Sequence, residues 1–123
     1  MSTGRRAARR SALFALYKWD ITGTVELDAD ADEYTRRIVE EVQSRSEELD
    51  TRITESAEGW TADRLGVVER NVLRVGIHEL ERDTVPVEVA INEAVELAKR
   101  YASEDAAKLV NGILSRIARE EAA

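Results

Sequence analysis

A chain of 123 residues is long enough to bury one hydrophobic core and short for two. With 43 % hydrophobic and 35 % charged residues it reads as folded and well hydrated, which excludes a disordered segment. The absence of cysteine excludes a disulfide framework and thiolate metal sites, and the net charge of −7 speaks against nucleic acid until its distribution is considered.

That distribution is uneven. Residues 1–19 carry +5, residues 20–63 carry −10 and residues 64–123 carry −2. A phosphate backbone responds to the field within about 8–10 Å, so a basic patch can work on an acidic protein. The basic start is followed by no apolar signal-peptide core, and no apolar run is long enough to cross a bilayer. These features lead us to expect a cytoplasmic protein with no membrane partner, forming one domain over residues 1–123.

In chain order, the pattern predicts helices nearly throughout. From Arg5 to about Trp19, Ala8, Ala12, Ala15, Leu16 and Trp19 form one apolar stripe, with Arg5–Arg9 and Arg6–Arg10 stacked at i,i+4 beside it. Ile21 to Asp32 has poor periodicity and reads as a loop. A helical region from about Asp32 to Ser56 should break near Ser44–Ser46, and Gly59-Trp60-Thr61 is punctuation before a short helical turn around Arg64 and Leu65. Gly66 to about Arg82 has an apolar surface wide enough for a central helix.

Pro86 fits a first helical turn, and behind it Val87, Ile91, Ala94, Val95, Ala98 and Tyr101 are expected to face one way. Ser103 reads as an N-cap, and the last helix buries Ala106, Val110, Ile113 and Ile117. Asn111-Gly112 has no strand-like flanks, so close helix packing is expected at Gly112.

Catalysis is poorly supplied. His78 is the only histidine, no glycine-rich phosphate loop is present, and the acidic pairs read as solvated helix faces, so no enzyme, cofactor or metal is expected. The arginines are the sharper signal. Arg5, Arg6, Arg9 and Arg10 on successive turns can project up to four guanidinium forks over about 8 Å of axis, a density suited to phosphates. By charge patterning alone, a solvated basic face pairing with the acidic body explains them equally well. Tyr17 and Trp60 have the chemistry to stack on bases, but lone aromatics are more often core or rim residues.

Three blocks go further. Arg5-Arg6-Ala7-Ala8-Arg9 running into Ala15-Leu16-Tyr17-Lys18-Trp19 resembles the opening of the NusB family of transcription antitermination factors. Val68-Glu69-Arg70-Asn71-Val72-Leu73-Arg74 with His78-Glu79-Leu80 is similar to that family's central helix. The long run from Val85-Pro86 through Val89-Ala90-Ile91-Asn92-Glu93-Ala94-Val95-Glu96-Leu97-Ala98-Lys99 to Val110-Asn111-Gly112-Ile113-Leu114 is the most specific match. The resemblance covers nearly the whole chain and is weakest over residues 21–58.

It implies an all-α fold of about seven helices in two packed bundles, and binding of boxA-type RNA in ribosomal transcripts together with the small-subunit ribosomal protein NusE. That pair joins an antitermination complex with RNA polymerase. By matching positions, Arg5, Arg6 and Arg9 fall on RNA-facing arginines, with Arg10 an additional cation. Lys108 and Leu109 fall on a loop-to-helix segment near the RNA. Tyr17 and Glu69 fall on the NusE-facing side, and Asp105, at the start of that loop-to-helix segment, is counted with them.

Leu109 stands where relatives often carry an aromatic, and leucine stacks on a base less well. Within the block around Asn92, the expected role of Val89, Ala90, Ile91, Ala94 and Leu97 is helix packing, with Asn92 in a buried hydrogen-bond network. Two alternatives stay open: the NusB-like domain of ribosomal RNA cytosine methyltransferases, and a helical adaptor without RNA contact. A homodimer is compatible with each.

Overall fold

A computed structural model describes residues 2–82 and 85–122, with side chains from Arg5 onward. The described residues are all-α: α1 (Ser2–Thr22), α2 (Glu33–Ser44), α3 (Ser46–Ser56), a 3-10 turn (Ala62–Arg64), α4 (Val67–Leu80), α5 (Val87–Tyr101) and α6 (Glu104–Ala122). Counting the 3-10 turn, these are seven helical segments, in line with the expected fold.

Local chemistry sets the boundaries. α1 runs to Thr22, two residues into the expected loop, because the Thr22 hydroxyl donates to the Lys18 carbonyl at 2.8 Å and Gly23, at φ +81°, closes the end. Asp32 caps α2, its carboxylate accepting from the Tyr34 amide at 2.7 Å. The break between α2 and α3 is the single residue Arg45, whose φ of −112° and ψ of 14° are not helical. Ser103 caps α6 as expected, its hydroxyl accepting from the Ala106 amide at 2.9 Å.

α4 is the centre. It packs against every other α-helix and is buried without a gap from Asn71 to Glu79. Its apolar positions Val72, Leu73, Val75 and Ile77 meet Leu13 and Leu16 of α1, Ile38, Val39 and Val42 of α2, Leu49 and Ile53 of α3, and Val110, Leu114 and Ile117 of α6 in one cluster. Burial of each such large side chain is worth about 1.5–3 kcal/mol.

Three packing expectations fail. Val87 and Val89 are exposed, so the buried face of α5 is the narrower row Ala90, Ala94 and Ala98. Asn92 is also exposed and joins no buried network. Gly112 meets nothing: a Cβ built there has no neighbour within 4 Å. The close approach is at Gly76, where a Cβ would lie 2.8 Å from Leu114 Cδ1 and 3.5 Å from the Ala94 Cβ.

Candidate nucleic-acid interface

The four N-terminal arginines share a helix but not an environment. Arg5 and Arg6 are exposed and Arg10 is half-buried. Arg9 is only 4 % exposed, and its Nε lies 2.7 and 2.9 Å from the two carboxylate oxygens of Glu79, itself 1 % exposed on α4. The Tyr34 hydroxyl donates to the same carboxylate. Burial alone would lower the Arg9 pKa, but the hydrogen bonds and charge of Glu79 outweigh it and the net direction is up. The expected array of four outward forks is therefore an array of three, with Arg9 fastening α1 to α4 from beneath.

The other forks are partly engaged. Arg6 grips Glu93 of α5 through two bonds of 3.0 and 3.1 Å, exposed on the arginine side and half-buried on the glutamate side. Arg5 lies over the Tyr34 ring at 4.9 Å from its centroid. Arg10 has no ion-pair partner among the described residues.

These arginines open a path across the molecule. Arg6 and Arg10 line a cleft between α1 and α5 of about 470 Å³, which also holds Val95, Glu96 and Arg100. Val95 is shared with a smaller depression between α5 and α6, lined by Lys99, Lys108 and one carboxylate, Glu104. Lys108 in turn belongs to a third cleft with Leu109, Gly112 and Trp60. Three clefts, each sharing a wall residue with the next, thus lie in a row from the arginine helix to Lys108 and Leu109. Because their cations outnumber the carboxylates Glu58, Glu93, Glu96 and Glu104, the row is a basic track. Lys99 and Arg100 on that track were not singled out as contacts, because their approach to Arg10 and Lys108 is a property of tertiary packing. Trp60 has the chemistry to stack on bases, and its exposed place in the third cleft is what the sequence could not show.

The residues expected on the partner side lie elsewhere. Tyr17 is exposed on α1 in a stripe with Phe14 and Ile21, all three more than 40 % accessible. Asp20, next along α1, accepts from Arg70 Nη2 at 3.2 Å and from Asn71 Nδ2 at 2.8 Å, so this end of α1 meets the first turn of α4 where Glu69 stands. Phe14 packs edge-to-face on Tyr101 with ring centroids 5.1 Å apart, which ties α1 to the α5–α6 corner carrying the exposed Asp105.

His78 is buried on α4. Its Nε2 faces Glu41 at 2.6 Å and its Nδ1 faces Arg45 Nη1 at 3.4 Å. A neutral ring with the proton on Nε2 satisfies both neighbours, and burial, opposed by Glu41, pushes its pKa down. No group of three or more His, Asp or Glu among the described residues has a metal-binding arrangement, and no described helix is long and apolar enough to cross a membrane.

Comparison with known proteins adds a family. The NusB family profile matches residues 6–119. The transcription antitermination protein NusB of Ruminiclostridium cellulolyticum is 40 % identical over 129 residues, covering 94 % of this chain and 89 % of the relative. That of Myxococcus xanthus is 40 % identical, covering 93 % and 94 %. Among solved structures, NusB of Thermotoga maritima superposes with a TM-score of 0.85 at 36 % identity, covering 94 % of this chain and 91 % of that one. A crystal structure of antitermination factors NusB and NusE in complex with double-stranded RNA matches with a TM-score of 0.84 at 34 % identity, covering 98 % and 99 %.

Proposed function

This chain belongs to the NusB family, and from that premise we propose that it is a non-catalytic, cytoplasmic RNA-binding antitermination factor. It engages boxA-type RNA of ribosomal transcripts together with NusE, within an antitermination complex on RNA polymerase. The observation that carries this reading is the basic track from Arg6 and Arg10 through Lys99 to Lys108 on a protein of net charge −7. The solved complex of NusB and NusE with RNA supports the choice of partners.

In this reading Arg5, Arg6, Arg10 and Lys108 contact phosphate, and Leu109 packs beside the strand. Arg9 holds α1 in place. Tyr17, Glu69 and Asp105 form the NusE side, where the apolar stripe Phe14–Tyr17–Ile21 gives a partner something to cover. The test is titration of boxA-like and scrambled RNA with and without NusE. Selective binding that strengthens with NusE is expected, and equal binding to both RNAs in both conditions would end the proposal.

The pairing of Arg6 with Glu93 and of Arg9 with Glu79 favours one competitor, an adaptor whose arginines serve only its own surface. Replacing Arg5 and Arg6 with Ala separates the two. The RNA reading requires weaker binding and a salt dependence shallower by roughly one unit per lost phosphate contact. Unchanged binding favours the adaptor.

A further inference from the structure

We propose that Trp60 is a base-stacking platform at the far end of the basic track, taking one unpaired base of the bound RNA. This rests on the RNA-binding reading above and adds to it a residue outside the arginine helix and the Lys108–Leu109 segment.

Four observations carry it. First, Trp60 is 50 % exposed. The turn before it has Glu58 at φ +28° and Gly59 at φ +85°, a left-handed pair closed by the Trp60 amide donating to the Ala57 carbonyl at 3.3 Å. The chain thus adopts a backbone that ordinary residues disfavour, and it presents the indole outward.

Second, the ring lines a cleft of about 550 Å³ whose other side is the α6 face of Lys108, Leu109, Gly112, Arg116 and Arg119. Arg64 stands 5.7 Å from the ring centroid, adding a fourth cation. Glu58 is the one carboxylate lining the cleft, and it is already joined to Arg116 at 2.7 Å. Lys108 and Arg119 have no ion-pair partner among the described residues. Cations crowding an exposed aromatic are the composition of a nucleotide site: phosphate for the charges, base for the ring.

Third, Gly112 occupies the interior of α6, where glycine weakens a helix, yet nothing lies within 4 Å of where its Cβ would be. Packing inside this chain does not account for it. An opening kept in the cleft wall does, because a missing side chain lets a ligand approach the backbone closely.

Fourth, the cleft shares Lys108 with the depression between α5 and α6, which shares Val95 with the cleft beside Arg6 and Arg10. One strand gripped at those arginines can therefore extend over this row to Trp60. The exposed stripe Phe14–Tyr17–Ile21 offers a contrast. Its neighbouring cation, Lys18, is spent on Glu26 at 2.5 Å, so that surface suits a protein partner.

The test uses single-stranded RNA titrated into the full chain, with NusE present and absent, read by tryptophan fluorescence and by affinity. Trp60 and Trp19 are the only tryptophans, and Trp19 is half-buried beneath Arg74. Wild-type emission should be quenched by RNA. Trp60→Phe should remove most of the quench and hold affinity within about threefold, because a smaller ring still stacks. Trp60→Leu should lose affinity by roughly 5- to 100-fold with an unchanged salt dependence, since no phosphate contact is removed. Gly112→Leu fills the cleft without touching a charge and should weaken binding as well, while circular dichroism confirms the helices.

If wild type binds RNA but Trp60→Leu and Gly112→Leu bind as tightly, with no quench from Trp60, the stacking site falls and the RNA reading stands. If wild type binds no RNA in either condition, both fall. If Trp60→Leu binds RNA normally but loses NusE, the cleft belongs to a protein and the proposal is overturned.

Discussion

Glu93 decides how much of Arg6 is available to a ligand. It holds the Arg6 guanidinium through two oxygens and also reaches Arg9 Nη1 at 3.4 Å. Phosphate must displace it, so Glu93→Gln should raise RNA affinity by about two- to fivefold, the scale of an exposed ion pair. A fluorescence-anisotropy titration at fixed salt checks this, and equal or weaker binding counts against competition at Arg6. His78 titrates with the opposite logic to an ion-paired histidine. Its folded pKa lies below the ordinary 6.5. Above 6.5 both folded and unfolded forms are neutral and stability is full; below it the unfolded chain takes up the proton first, so stability falls as pH drops toward the folded pKa. Urea midpoints at about pH 7.5 and about 5.5 should therefore fall further in wild type than in His78→Gln. Spacing alone put four arginines on one helix. It could not say that one of them ends on Glu79, seventy residues away, because ion-pair partners are chosen by tertiary packing.

At the level of elements, the starts and stops were legible where a side chain or a dihedral constraint does the work. Asp32, the Ser44–Ser46 break, Pro86 and Ser103 all stand where the helices begin or part. Which face of a helix finds a neighbour was less legible. The 3.6-residue period marks an apolar stripe on α5, but only packing shows that Val87 and Val89 fall outside the seam. Two glycines in helix interiors, Gly76 and Gly112, make the point quantitatively. Gly112→Ala meets no atom and should stabilise the fold by about 0.5–1 kcal/mol through helix propensity. Gly76→Ala gains the same propensity but pushes a methyl into Leu114, which is fully buried and has little room to move. Overpacking of this kind costs about 1–3 kcal/mol, so the net effect should be destabilising. Chemical denaturation of the two variants tests the contrast, and a stabilised Gly76→Ala would show that α4 and α6 are less tightly opposed than described.

Across the whole molecule, ion pairs between opposite charges fasten the other helices around α4. Glu79 takes Arg9 of α1, Arg74 takes both Asp20 of α1 and Asp50 of α3, and Arg82 takes Glu41 of α2. These pairs take arginines as well as carboxylates into the fold, and the cations of the basic track are left on the outside. This division separates arginines of the fold from arginines of the proposed interface, and the separation is measurable. Glu79→Ala strands Arg9 in a buried site and should cost about 3–5 kcal/mol of unfolding free energy. Replacing both partners with methionine should cost less than that single change, because no charge is left buried without its pair. Arg6→Ala should leave the urea midpoint nearly unchanged and make the salt dependence of RNA binding shallower by about one unit. Arg9→Ala should do the reverse: a lower midpoint, and an unchanged salt slope at temperatures where the variant is folded. A slope that falls by one unit in folded Arg9→Ala would move Arg9 out of the fold's ion pairs and into the group that meets phosphate.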